Sequence, residues 1–305
     1  MRAPLVAAVD VGGTRVKAAL VDPAGREVVS LTDPTPAGLG APGALVGVVV
    51  AAVEALRSRA TDGGEPVEVS ACGVVVPGIV DDAAGVARWS ANLGWRDLPV
   101  VEPLASALGV PVALGHDVRA GLVAEARFGA AQGFSNVLFM PIGTGIAGAL
   151  MLDGHVVVAD GWSGELGHVV VVPDGPPCGC GASGCLEAVA SAAAIERAYA
   201  AASGQRRAGE AIAALVAEGD EVASRVWATA VDALARAVVL TTTLTGVSRV
   251  LVGGGLAHAG DVLLGPLRDA VAASLTFQRR PTIAEAALGD RAGCLGAACL
   301  AFDLA

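Results

Sequence analysis

The chain has 305 residues, 54% of them hydrophobic and 16% charged, which suits one large or two medium domains with a sizeable core and excludes a disordered chain. Its formal net charge is −10, from 20 basic and 30 acidic residues. That balance argues against a nucleic-acid surface and disfavours polyanionic partners in general.

The N-terminus, MRAPLVAAVD, has too short an apolar run for a signal peptide, and Asp10 interrupts it. The longest apolar stretch, AVVLTTTLTGVSRVLVGGG, is broken by threonines, Gly246 and Arg249, so no membrane span is expected. The expected location is cytoplasmic, where thiols stay reduced.

In chain order, LVAAVDVGG reads as a buried strand, a Gly-Gly-Thr turn follows, and VKAALVD forms a second strand ending at Asp22. Residues 44–60 read as a helix. VSACGVVVPG is a buried strand ending at Pro77 and Gly78. GVPVALG is another strand and runs into a helix, HDVRAGLVAEARFGAA. NVLFMPIGTGIAGALMLDG repeats the strand–turn–strand pattern. Residues 160–186 are loop-rich. Helices are expected over 187–203, 208–218 and 220–246, then a strand with a glycine turn in SRVLVGGGLA, and a last helix in AGCLGAACLAFD. DVGGTRVKAALVD (10–22) lines up with PIGTGIAGALMLD (141–153), which suggests a duplicated architecture.

Three glycine turns each follow a predicted buried strand: Gly12-Gly13-Thr14, Gly143-Thr144-Gly145 and Gly253-Gly254-Gly255. Such turns let backbone N–H groups converge on an anion. Together they fit a nucleotide site, although neither the Walker pattern nor the dinucleotide fingerprint is complete. Asp10 precedes the first turn. It can bond the turn amides, or it can face a Mg²⁺–phosphate group. Lys17 is the only lysine in the chain. Asp117, at a strand-to-helix junction, reads by itself as a helix N-cap.

Three of six cysteines, Cys178, Cys180 and Cys185, fall within PPCGCGASGCLE (176–187). In a reducing compartment such a cluster is metal-binding or reactive rather than disulfide-bonded. Cys72, Cys294 and Cys299 sit in apolar strand and helix contexts and read as core residues.

DVGGTRVKAALVD, GVVVPGIVD, HDVRAGLVAEARFG, PIGTGIAGALMLDG, GELGH and CGCGASGCLE occur in this order. Together they resemble the ROK family of sugar kinases and sugar-responsive repressors, from residue 5 to about 300. The resemblance implies an α/β protein with the actin-like, ribonuclease-H-like fold: two α/β domains flanking a cleft. The expected division is 1–115 plus 291–305 for a smaller domain, and 116–290 for a larger one. It further implies ATP-dependent phosphorylation of a hexose, with bacterial glucokinase as the nearest idea, and a homodimer or homotetramer.

The resemblance also assigns residues. His168, Cys178, Cys180 and Cys185 match the family's zinc motif, with gaps of nine, one and four residues, and Cys₃His is a closed structural zinc set. Glu165, Glu187 and the second nitrogen of His168 bind sugar hydroxyls, as does Asn92. Asp117 aligns with the family's general base. Asp10, Gly12, Gly13, Thr14, Gly143, Thr144, Gly145, Gly254 and Gly255 line ATP and Mg²⁺. One departure stands out: the family's Glu-Asn-Asp becomes Gly115-His116-Asp117, and Arg119 replaces a small or amide residue. His116 thus takes the place of an Asn that binds a sugar hydroxyl, and leaves the sugar open: N-acetylhexosamine, mannose, fructose and allose stand beside glucose. A weakly catalytic sugar sensor is a further alternative. A DNA-binding regulator is disfavoured, because only nine residues precede Asp10.

Overall fold

The computed structural model describes residues 4–41, 43–60, 67–90 and 92–305. The chain divides into two compact units: one joins residues up to Phe128 with Val158–Ser163 and Asp290–Ala305, the other joins Gly129–Val157 with Gly164–Gly289.

In the first unit, β1 (Leu5–Val11) and β2 (Arg15–Val21) form the expected hairpin, extended by β3 (Glu27–Pro34). Helix α1 (Ala44–Ala60) follows, then β4 (Val69–Val76), which pairs with β1 in parallel. Strands β5 (Ile79–Asp81), β6 (Val86–Ser90) and β7 (Trp95–Pro99) make a small antiparallel sheet of their own. Helix α2 (Val101–Leu108) leads to β8 (Val112–His116), parallel to β4, and α3 (Asp117–Phe128) starts at the next residue. The main sheet has the order β3-β2-β1-β4-β8. Its central strands are apolar on both faces because both faces are covered. Ala7, Val9 and Val11 of β1 join the core with Leu45, Val49 and Val53 of α1. Ala8 and Asp10, pointing the other way, meet Cys294 and Gly293 of the C-terminal helix, Ala292–Phe302.

That helix explains where the unit ends. Gly296 lies against the backbone of Ala120, and Gly73 of β4 lies under Ala297, so close that neither glycine has room for a Cβ. Helix α3 therefore packs with the first unit, one helix beyond the expected break at 115/116, and Val158–Ser163 joins it there.

In the second unit, β9 (Val137–Pro141), β10 (Ala149–Leu152) and the short β11 (His155–Val156) are antiparallel. Four helices follow: α4 (Leu186–Ala190), α5 (Ala192–Ser203), α6 (Gly209–Ala217) and α7 (Glu221–Thr245). The single helix expected over 187–203 is two, because the Ser191 hydroxyl accepts the Ala194 N–H at 3.1 Å and caps a new start. Strand β12 (Arg249–Gly253) runs parallel to β9, α8 spans Asp261–Ser274, and β13 (Thr282–Glu285) runs parallel to β12. The sheet order is β11-β10-β9-β12-β13. It reproduces the first sheet strand for strand: a three-stranded antiparallel meander, then two parallel strands. The duplication read from the two hairpins thus extends to both whole sheets. Among the described residues, α7 is long and apolar enough to cross a membrane, but its Trp227, Val231, Leu234 and Val238 belong to the unit's core.

Candidate active site

In the first unit, β1 carries Asp10 to the edge of the Gly12-Gly13-Thr14 turn. The turn is braced: Gly12 N–H donates to Arg15 O at 3.0 Å, and the Thr35 hydroxyl donates to Gly12 O at 2.7 Å. Asp10 stands opposite Lys17 in the hairpin register. Its carboxylate occupies the space a Cβ on residue 293 would fill, so Gly293 makes the site for it. Burial pushes the Asp10 pKa up to about 7, the negative charges of Asp117 and Asp290 add to that, and Lys17 opposes it. Lys17 Nζ donates to the Asp290 carbonyl at 2.8 Å.

Asp117 opens α3. Its Oδ1 accepts the Val118 N–H at 2.7 Å and lies 3.4 Å from His116 Nδ1. Asn92 is exposed in the turn between β6 and β7, where Gly94, at φ +73°, donates to Ser90 O at 3.0 Å. Arg119, expected only as a departure, is buried and pairs with Asp82 at 3.0 Å.

In the second unit, the Gly143-Thr144-Gly145 turn joins β9 to β10. Gly143 N–H donates to Gly145 O at 2.9 Å, and Gly143 O accepts from Ala192 N–H, also at 2.9 Å. Glu187 is tied to this turn: its Oε2 accepts the Ile146 N–H at 2.9 Å and fills the space of a Cβ on residue 145. The third turn sits alongside. Ile142 N–H donates to Gly253 O at 2.9 Å, and Leu256 N–H donates to Ile142 O at 3.1 Å. Gly254, at φ +73°, has the Ile142 carbonyl where a Cβ would be. A cavity of about 290 Å³ opens beside Gly255, lined by Gly209, Glu210, Ala213, Leu256 and His258. The sequence carried no signal for this cavity, whose walls come from two stretches of chain, 209–217 and 255–262.

The cysteine cluster closes on itself. One donor atom from each of His168, Cys178, Cys180 and Cys185 lies within 4.8 Å of all the others. Cys180 Sγ is 3.7 Å from Cys185 Sγ, and Cys178 Sγ is 3.6 Å from His168 Nδ1. A tetrahedron with Zn–S of ~2.3 Å and Zn–N of ~2.05 Å has S···S edges of about 3.8 Å and N···S edges of about 3.6 Å. The Cys180–Cys185 and Cys178–His168 pairs match those edges. The other ring nitrogen of His168, Nε2, lies 3.7 Å from Glu165 Oε2. Gly184, at φ +75°, lets the loop pass against the Val172 carbonyl, where no other residue fits.

Thus Asp10 and Asp117 lie in the first unit, and Glu165, His168, Glu187, the three clustered cysteines and two glycine turns in the second. Duplicated sheets, each with a glycine turn after its first strand, define the actin-like ATPase fold. The ROK family model matches residues 6–303, and the chain belongs to the ROK family. It is 34% identical over 308 residues to the glucokinase of Thermotoga maritima, covering 95% of each chain. It is 32% identical over 302 residues to an N-acetylmannosamine kinase of Salmonella arizonae, covering 96% of this chain and 97% of that one. The crystal structure of a ROK family glucokinase from Streptomyces griseus in complex with glucose and AMPPNP superposes with a TM-score of 0.80 at 30% identity, covering 98% of this chain and 99% of the other. The chain is a sugar kinase by these relationships.

Proposed function

We propose that the chain is an ATP-dependent hexokinase that transfers the γ-phosphate to the terminal hydroxyl of glucose, giving glucose 6-phosphate. The observation that carries this reading is the join at Glu187: the carboxylate assigned to the sugar accepts its hydrogen bond from the turn assigned to phosphate. Its chemistry is supported by the similarity to a glucokinase that holds glucose and AMPPNP.

Asp117 is the general base. It accepts the proton of the terminal hydroxyl as that oxygen attacks the γ-phosphorus and ADP leaves. Phosphoryl transfer otherwise needs positioning and charge neutralisation. The turns at Gly12-Gly13-Thr14 and Gly143-Thr144-Gly145 offer backbone and hydroxyl donors to the phosphates, and the third turn, Gly254-Gly255 with its adjoining cavity, takes the adenosine. Asp10 is the residue to hold Mg²⁺, which supplies neutralisation of phosphate charge when bound. A buried carboxyl poised near neutrality suits that task, since a divalent cation readily replaces its proton. Asn92, His116, Asp117, Glu165, His168 and Glu187 bind the sugar.

His168, Cys178, Cys180 and Cys185 hold a structural Zn²⁺. With four protein donors the site has no open position for chemistry, and its work is to order the loop bearing Glu165 and Glu187. The reading places the enzyme in the cytoplasm, as a homodimer or homotetramer.

A second substrate reading rests on His116, which stands where the family has an amide and favours a sugar other than glucose, an N-acetylhexosamine among them. The deciding experiment is ADP release with ATP and Mg²⁺ against glucose, mannose, fructose, allose and N-acetylhexosamines. Turnover fastest with glucose is expected. Turnover confined to another sugar selects the second reading. No turnover in zinc-loaded, folded protein defeats the kinase.

A further inference from the structure

We propose that Arg119 is a positioning residue of the sugar site: paired with Asp82, it clamps the segment Val158–Ser163 and the His116-Asp117 turn in one arrangement, and so sets which sugar is accepted. This rests on the reading of His116, Asp117 and Glu165 as sugar residues.

Arg119 is 3% exposed. Its Nη2 contacts Asp82 Oδ1 at 3.0 Å and donates to Val80 O at 3.4 Å, and its Nη1 donates to Gly161 O at 3.4 Å. The guanidinium thus bridges three segments of the first unit: α3, the end of β5 and the Val158–Ser163 stretch. A buried cation is costly to keep, and an apolar side chain of similar volume often serves a fold as well or better. Planar, multiply donating geometry is what Arg supplies and Lys does not. The cation is therefore best explained by what it holds.

It holds a strained segment. Ala159, Asp160 and Gly161 are all left-handed, at φ 48°, 54° and 88°. Two are not glycine, and such backbone persists only where its surroundings over-determine it. At Gly161 the Val80 carbonyl stands in the space of a Cβ, so the segment is seated directly on β5. Glu165 follows Gly161 by four residues. On its other side, the Arg119 backbone N–H donates to His116 Nδ1 at 3.4 Å. One residue therefore stabilises both the segment leading into Glu165 and the ring that replaces the family's amide.

The test compares Arg119→Met, Arg119→Lys, Asp82→Asn and Glu165→Gln in the zinc-loaded full chain, reading kcat and KM for glucose, mannose and N-acetylmannosamine, KM for ATP, and melting temperature. The expected result is a sugar KM raised about tenfold or more in Arg119→Met and Arg119→Lys, less in Asp82→Asn, with narrowed preference among the sugars and an ATP KM within about twofold. A role in stability alone would lower the melting temperature and leave the KM values and the preference unmoved, which overturns the proposal. If Arg119→Met does not fold, Arg119→Lys and Asp82→Asn decide by the same readouts. An unmoved sugar KM in Glu165→Gln is the failure of the underlying sugar reading and takes the clamp with it. A raised KM there, with none in the Arg119 variants, overturns the clamp alone.

Discussion

Gly145→Ala separates the sugar role of Glu187 from its role as a loop charge. Gly145 is not left-handed, so its backbone accepts Ala, and the only obstacle is the Glu187 carboxylate in the space of the new Cβ. That carboxylate must move, and its 2.9 Å bond from Ile146 N–H is lost. A hydrogen bond to a charged group contributes about 1.5–3 kcal/mol, so if Glu187 binds sugar only when held there, the sugar KM rises about ten- to a hundredfold. Gly143→Ala is the control. Nothing lies within 4 Å of its Cβ, so Glu187 stays in place and any effect falls on ATP rather than on sugar. The assay is coupled ADP release with glucose and ATP varied separately. A sugar KM in Gly145→Ala within twofold of the parent, in protein of unchanged melting temperature, would refute the reasoning.

Three further outcomes follow from the same geometry. Asp117→Asn keeps the side-chain acceptor for Val118 N–H and loses the base, so kcat should fall about 10² to 10⁴-fold while calorimetry still registers sugar binding. Asp10, raised from 3.8 to about 7, binds its proton more tightly folded than unfolded. Its contribution to stability is complete below pH ~4 and is lost as pH rises through ~7, so in urea denaturation without Mg²⁺ or nucleotide, Asp10→Asn should remove that share of the decline. A parent-minus-variant difference that is flat over this window excludes the raised value. Chelation of zinc, or Cys180→Ala, should release about one metal per chain by mass spectrometry and weaken sugar binding, with nucleotide binding to the third turn far less affected.

What the sequence made legible was what local pattern encodes. β1, β4, β9 and β12 are central strands, and their near-unbroken Val, Ala and Leu runs show it. The glycine turns declare themselves by composition. The helix break at Ser191 was hidden in an alanine-rich run with no clear period, where only the capping serine marks it. Helix α8 contains Gly265 and Pro266, which mask its pattern, and β13 is four residues long. The small sheet β5-β6-β7 has a three-residue first strand, exposed positions on β6 and β7, and little periodic signal. At the site, the cluster of His168, Cys178, Cys180 and Cys185 was legible because its members are close in sequence. Gly293 beside Asp10 and Asp82 beside Arg119 were not, since each pairs residues 37 or more positions apart that only the fold brings together.

The second unit offers a route by which the proposed zinc, without a catalytic position, would act on the site. His168 is followed by Val169, whose carbonyl accepts the Leu186 N–H at 2.9 Å, and Val171 N–H donates to Gly184 O at 3.0 Å. These bonds register the cysteine loop against the start of α4, and α4 presents Glu187 two residues after Cys185. Glu187 then braces the second turn through Ile146, and Ile142 carries that frame on to the third turn. The cysteine loop, Glu187 and the second and third glycine turns are successive stations on one hydrogen-bonded path. Loosening the loop is therefore expected to displace Glu187 and, through Ile146, the turn at Gly143-Thr144-Gly145.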